Sequence, residues 1–403
     1  MKAFNPFLLS IILVIGMFAS CQNSRKELVV QKLEINPNET AQIQLSQLYS
    51  EVEIINLNES NEVFARPNKL IAKNNCLYLL SGPAIWVYDF DRKLKLNLIR
   101  RGNGAGEYLG IADFQIEDNG DILINDLDGR KMIRYNAKGE HLNTINHGLL
   151  SYNFIKIDDV VYLNSGVLLN NKSSYRVNCW DEKTASLTHG YIKQDKNLSY
   201  LSVIEDKNFS GFNDTILYCQ SFSNTIFRLT NEEAIPYLKI DFGACSMPES
   251  FPKEYSQLRP FMEDIRLSGY ASRIDGYYEN AQYRFFMYSY KDLRPFVWHS
   301  KQTDQIFHFS LFEDDLLFPG IVQETGYNSK PVFMDGNYVY VSMEAYLFKE
   351  LYEKHSAQSL QATVQITASE KLQKSPYQQT LNEIYNTLDI NSNTLIIRYK
   401  IKS

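Results

Sequence analysis

The chain has 403 residues, of which 44% are hydrophobic, 13% aromatic and 22% charged, with a formal net charge of −6. Such a composition excludes a disordered chain, which lacks the apolar surface needed to offset ordering entropy, and the length suffices for one large β domain or two ordinary ones. The acidic balance offers no concentrated basic face of the kind a nucleic-acid backbone selects.

The N-terminus reads as a targeting signal. Lys2 precedes the apolar run Phe7 to Phe18, FLLSIILVIGMF, which is signal-peptide length and short of the roughly 20 residues a spanning helix needs. Ala19-Ser20-Cys21 then resembles a bacterial lipoprotein cleavage site, with Phe18 where Leu is usual; there the Cys21 thiol takes a diacylglycerol and becomes the mature N-terminus. Residues 1–20 are thus expected to be signal peptide, 21–27 a polar tether and 28–402 the folded domain, and removal of Lys2 with the signal leaves a net charge of −7. Gln22 after the Cys resembles routing to the outer membrane, so the expected location is the cell envelope, with a membrane contact through lipid. Cys76, Cys179, Cys219 and Cys245 remain. Three sit in apolar strand-like runs, where Cys acts as a small buried hydrophobe, and no CxxC suggests zinc.

Tyr and Phe, 27 and 23 in number, are strand formers, and they fall in short runs between turn residues. Leu28 to Val30, Ile43 to Leu45 and Val52 to Leu57 are strand-like pieces with no blade of their own. A first four-strand repeat follows at Lys69 to Lys73, Cys76 to Leu80, Ile85 to Phe90 and Leu94 to Ile99. The second is the clearest: Ala112 to Glu117, Asp121 to Asn125, Lys131 to Tyr135 and His141 to Ile145, punctuated by Asn119-Gly120, Asp128-Gly129 and Lys138-Gly139. A lone four-stranded meander cannot bury both faces, so it calls for neighbours like itself stacked radially. The spacings of 46 (Val87 to Ile133) and 44 (Ile133 to Val177) suit propeller blades.

A third repeat spans Phe154 to Ile192, and a fourth ends at Phe242, with its first strand expected within Tyr200 to Asp206. Residues 243–269 carry three Pro and an i, i+3, i+4 apolar pattern at Leu258, Phe261, Met262 and Ile265, which predicts a loop with a short helix. A fifth repeat runs from Ser272 to Phe309. The sixth starts at Pro331 to Met334 and Tyr338 to Ser342, is broken by helices at Glu344 to Lys354 and Gln378 to Tyr385, and resumes at Thr394 to Ile401. It has three strands, so Val52 to Leu57 is expected to supply the fourth. The predicted fold is all-β: a six-bladed β-propeller with small helical insertions, closed by its N- and C-terminal strands.

Several stretches together carry a family resemblance: the lipobox, LSQLYSEVEIINLN, the RxGNGAGEY turn after the first blade, the YxxKG-like turn, SFSNTIFRLTNEEAIPYLKIDFG and the terminal LIIRYKIK. The second repeat resembles an NHL repeat, and the whole mature chain is similar to the six-bladed propeller lipoproteins of Bacteroidetes. Ala105 stands where that turn usually has Pro, and Asn391 to Thr394 where an Asn-Pro is common. The resemblance implies little about activity, but NHL-type propellers include lactonases and lyases that hold a metal in the central channel.

No motif announces chemistry. Gly102 to Gly106 looks like a phosphate loop but is followed by a strand and lacks the Lys-Ser/Thr closure, so it predicts a tight interblade turn stitched by Glu107 and Tyr108. Asn125 to Gly129 predicts a turn capped by Asp side chains, lacking the further ligands of a calcium loop. The six His residues, 141, 147, 189, 299, 308 and 355, form no HExxH, and there is no GxSxG; His299 reads as a sheet residue. No catalytic residue, metal ligand or cofactor is assigned. A channel metal would need Asp, Asn, Glu or His converging from several inner strands, which offer mainly Asp113, Asn68, Asn153 and Lys156.

The aromatic run Tyr270 to Tyr290, with Arg266, Arg273 and Arg284, is expected to be largely core. Tyr270, Arg273, Tyr277 and Tyr278 are the candidate binding rim. The favoured function is a lipid-anchored binding or scaffold protein for a glycan, peptide or envelope protein, with a channel-metal hydrolase or lyase as the alternative.

Overall fold

Six sheets arranged as blades organise the computed structural model, which describes residues 30–58, 64–167, 172–202, 207–212, 215–365, 375–389 and 391–402. The signal segment, Cys21 and the tether lie outside the described residues. Three strands precede the first blade: β1 (Gln31–Glu34), β2 (Ala41–Gln44) and β3 (Tyr49–Ile55). Blade 1 is β4 (Lys69–Lys73), β5 (Cys76–Ser81), β6 (Ala84–Asp89) and β7 (Leu94–Leu98). Its first hairpin turns on Asn74-Asn75 at φ 51° and 57°, the left-handed pair of a type I′ turn that Asn tolerates. Blade 2 is β8 (Asp113–Ile116), β9 (Ile122–Asp126), β10 (Lys131–Tyr135) and β11 (His141–Ile145); blade 3 is β12 (Asn153–Ile157), β13 (Val160–Asn164), β14 (Tyr175–Asp181) and β15 (Ser186–Lys193).

Blade 4 comprises β16 (Phe209–Phe212), β17 (Thr215–Cys219), β18 (Thr225–Leu229) and β19 (Ala234–Asp241). Its first strand lies downstream of the expected window, of which residues 203–206 lie outside the described residues; Lys196–Leu201 forms a 3-10 helix capped by Asp195. The β16 sequence FSGF lacks β-branched residues, and Gly211 lies close to blade 3, where a Cβ would meet the tip of the Ile155 side chain at 2.9 Å. The helix α1 (Leu258–Ser268) then interrupts, buries Phe261 and Ile265 one turn apart and stops at the left-handed Gly269, φ 75°. Blade 5 is β20 (Ala271–Glu279), β21 (Tyr283–Tyr290), β22 (Phe296–Ser300) and β23 (Ile306–Glu313), with the unforeseen short strand β24 (Val322–Glu324) beside β23. Blade 6 is β25 (Pro331–Met334), β26 (Tyr338–Met343) and β27 (Leu395–Ile401), with α2 (Ala345–Gln365) and α3 (Gln378–Thr387) between the last two.

β3 pairs antiparallel with β27 as the outer strand of blade 6, Ile55 opposite Ile396 and Val52 opposite Tyr399, so the two ends of the chain close the ring. β1 and β2, unassigned from sequence, each add a parallel strand to the outer edge of blades 4 and 5. The N-terminal segment thus straps three successive blades and covers edges that would otherwise be open to pairing. Each of β1 and β2 buries a single side chain, Leu33 and Ile43.

Apolar clusters fill the interfaces between blades: Tyr78, Phe114 and Tyr135 between blades 1 and 2, Tyr277 and Phe286 with Leu217 and Ile226 between blades 4 and 5. The inner strands touch in ring order from β4 through β8, β12 and β16 to β20, and β25 meets β4. Since every blade starts at its inner strand and alternates direction, interblade connections and the turns between second and third strands share one face. Both helical insertions lie on this loop face.

Candidate anion-binding site on the loop face

At the head of blade 5, the inner strand is irregular. Ser272 pairs with Ser289 and Asp275 with Met287, so Arg273 and Ile274 together oppose Tyr288. Such a bulge bends the strand and re-aims a side chain. Arg273, at φ 49°, lines a cavity of about 70 Å³ with Tyr270, with Met262, Ile265 and Arg266 of α1, and with Lys291 and Arg294 from the turn after β21. Ser272, Ser289 and Phe222 complete the wall. The volume suits one carboxylate, sulfate or phosphate group and is far below that of a drug-sized pocket.

Four basic side chains and no acid line this cavity. Among the described residues only Arg266 of the four has an acidic partner, Asp292 at 3.2 Å, and both are exposed. Arg294 Nη1 donates to the Leu293 carbonyl at 2.9 Å while its Nε is buried without a hydrogen-bond partner. Its guanidinium lies over the Tyr327 ring at 5.9 Å, and the Lys291 ammonium over Tyr290 at 4.9 Å. Phe222, Arg273 and Lys291 hold left-handed backbones, φ 59°, 49° and 54°. For bulky residues that conformation costs energy, and its clustering around one cavity is characteristic of ligand clamps.

Of the four candidate rim residues, the structure brings two together. Tyr270 packs edge-on against Phe251 at 5.2 Å and shares the cavity wall with Arg273. Tyr277 is buried against Phe286 and its hydroxyl donates to Glu279; Tyr278 turns to the blade 6 side, 6.2 Å from Tyr283. A second bulge, where Asp275 pairs with Met287 and Tyr278 with Phe285, and Gly276 at φ 62°, break the alternation between them. Arg284 is no rim residue either: it is buried, its Nε on Glu279 at 3.0 Å. Lys291 and Arg294 were missed by sequence reading; the polar KDLR turn between two aromatic strands was the available signal.

Asp113, Asn153 and Lys156, three of the four inner-strand polar residues, each have a partner. Lys69 Nζ lies 2.6 Å from Asp113, which also accepts from the Phe154 amide at 3.0 Å. Asn153 donates to Asn208 at 2.8 Å, and Lys330 meets Asp275 at 2.8 Å. Lys156 and Arg134 share Glu117, at 2.6 and 2.8 Å, holding its carboxyl below the usual range against the opposing effect of burial. Asn68 is exposed at the strand head. Among the described residues no three His, Cys, Asp or Glu side chains gather as metal ligands would.

The glycine turn is stitched as expected. Glu107 accepts from the Gly104 amide at 2.8 Å, Tyr108 donates to the Pro83 carbonyl at 2.6 Å, and a Cβ at Gly102 would collide with the Glu107 carboxylate. Asp126 caps the next turn by accepting from the Leu109 and Gly129 amides, both at 3.0 Å. His299 is buried in β22 with Nε2 2.8 Å from Asp304. Cys76, Cys179, Cys219 and Cys245 are free thiols, and burial pushes Cys179 up to about 12, which leaves it unreactive.

Fold and surface together define a six-bladed β-propeller with a basic cavity on its loop face. The chain belongs to the family described as a domain of unknown function, DUF4934, which matches residues 29–400. A comparison with curated proteins found none that matches. Among solved structures, the chain is similar to a protein from Bacteroides fragilis NCTC 9343 described as exported, at 15% identity over 93% of this chain and 100% of that one, TM-score 0.69. A DUF4221 family member from Bacteroides vulgatus ATCC 8482 matches at 12% identity over 88% of this chain and 97% of that one, TM-score 0.48. Virginiamycin B lyase from Staphylococcus aureus matches at 12% identity over 73% and 96%, TM-score 0.42. At these identities the first likeness shows a shared fold, and the other two carry no weight. Among the described residues no helix is long and apolar enough to cross a membrane.

Proposed function

We propose that this chain is a lipid-anchored cell-envelope binding protein that holds an acidic ligand, one bearing a carboxylate, sulfate or phosphate group, in the loop-face cavity of blade 5. The observation that carries this reading is the set Arg266, Arg273, Lys291 and Arg294 around one cavity without a lining acid, in a chain of net charge −6. Cations gathered without a lining acid repel one another, and an anion in the cavity would accept charge-assisted hydrogen bonds from them. Calorimetry of the mature protein with oligogalacturonate, a neutral glucan oligomer, an acidic peptide and inorganic sulfate tests it. Saturable binding confined to the anions is expected, weakening with added salt and falling roughly 10- to 100-fold in Arg273→Ala or Arg294→Ala, about 1.4–3 kcal/mol. Equal binding of the neutral glucan, or indifference to both substitutions, would overturn it. So would a stoichiometric divalent ion with turnover of an ester or lactone.

The anchor rests on Phe7 to Cys21 and on the likeness to a protein described as exported. Cys21→Ser is expected to move the protein from the membrane to the soluble periplasmic fraction, or to leave it uncleaved. Unchanged fractionation and processing would refute lipidation at Cys21.

A further inference from the structure

Between blades 5 and 6 lies a second, larger cavity of about 310 Å³, open on one side. Phe285, Phe296 and Trp298 of blade 5 form one wall, Val339 and Tyr399 of blade 6 the other, and Leu48 closes the outer end. Leu347 and Leu351 of α2 roof it. The walls are preformed: Phe285 meets Phe296 edge-on at 5.4 Å, and Trp298 is stacked on Tyr283 at 4.7 Å. Protein interiors pack like organic crystals and hold few voids larger than a water, so an apolar space of this size at one interblade seam calls for an occupant.

The mouth selects the occupant's charge. Glu324 on β24 and Glu350 on α2 flank it, and the one cation that lines it among the described residues, Lys354, is held by Glu350 at 2.6 Å. An excess carboxylate therefore faces any head group that stays outside while a tail enters, and like charges there repel. The geometry points to a binding site for a single-chain amphiphile whose apolar tail fills the 5/6 seam and whose head group is uncharged or cationic. The lining is mostly apolar, with Glu324, Glu350 and Lys354 at the rim and one buried polar pair, Asp314 with Tyr399, on the wall, a mix that small-molecule sites share. The site is independent of the loop-face cavity, whose charge is opposite.

Trp298 reports occupancy directly. In the full mature protein, 12-bromododecan-1-ol should quench part of the tryptophan fluorescence saturably, since Trp298 lines the cavity while Trp86 and Trp180 sit in blades 1 and 3. Dodecyltrimethylammonium, below its micelle concentration, is expected to relieve the quenching, and dodecanoate to do so at least tenfold less well. Trp298→Phe should abolish the saturable component while calorimetric binding persists. Val341→Phe and Leu347→Phe, both on the cavity wall, should fill the space and abolish binding with the melting temperature kept or raised. Absence of saturable quenching, or survival of binding in both filled variants at an unchanged melting temperature, overturns the site. Equal competition by dodecanoate overturns the assignment of head-group charge.

Discussion

Glu279→Ala is expected to lower the stability of the propeller by about 3–5 kcal/mol, the range for breaking a buried ion pair by removing one partner. Glu279 is fully buried at the far end of β20, where its carboxylate accepts from Arg284 Nε at 3.0 Å, Lys301 Nζ at 2.7 Å, Tyr237 at 2.7 Å and Tyr277. Arg284 is itself buried and donates to Gln31 at 2.6 Å, so the cluster ties the added strand β1 and blade 4 to blade 5. Without the carboxylate, a guanidinium is stranded in the interior. The donors hold the Glu279 carboxyl below its ordinary value despite the opposing effect of burial. Its contribution is therefore present above the ordinary glutamate range and is lost as pH falls through the folded value. Urea titration of both proteins at pH 7 should show a lower midpoint with an unchanged slope. Glu279→Leu combined with Arg284→Met should cost less than the single alanine, because no charge is then left unpaired. An alanine variant with the parental midpoint would show that the cluster contributes nothing.

Asp314→Asn carries the opposite sign. Asp314 is buried at the end of β23, accepting from the Leu317 amide at 3.1 Å and, on its other oxygen, from the Tyr399 hydroxyl at 2.5 Å. Burial pushes its carboxyl up to about 6 from an ordinary 3.8. As pH rises from about 4 to about 6, the unfolded chain therefore loses this proton while the folded chain keeps it, and stability declines by up to about 3 kcal/mol in total. Asparagine never ionises, and its amide can donate to Tyr399. The variant should accordingly be more stable than the parent at pH 7 to 8, with the advantage gone at pH 4. Thermal melts of both proteins across that window test the difference, in which the remaining carboxylates cancel. A constant gap from pH 4 to 8 would mean that Asp314 does not titrate there.

The blades were legible because each strand is bounded by residues with a turn mechanism, Asn119-Gly120 and Lys138-Gly139 among them, and because the spacing repeats. Closure followed from counting: a three-stranded last blade and an orphan strand at the start. The strap was only half legible. Ile43 marks a strand, but the first piece is read at Leu28 to Val30, ahead of the observed β1, and parallel pairing at a sheet edge needs no alternation beyond one buried residue, so nothing named their partners. The candidate site was legible at Tyr270 and Arg273 and lost at Tyr277 and Tyr278, since two bulges in β20 shift the faces that simple alternation assigns. Arg294 and Lys291 carry only a faint local signal, the polar KDLR turn, and become site residues once the turn after β21 folds over α1.

The strap also sets an order of events in biogenesis. Its contacts reach across the chain: Gln31 meets Arg284 over 253 residues, Thr40 meets Ser310 over 270, and Glu51 meets Lys400 over 349. The first strands to emerge therefore wait for the last, and loop-closure entropy must be met before those pairings stabilise anything. A chain built in this way stays unclosed until its last strand, β27, is available to pair with β3.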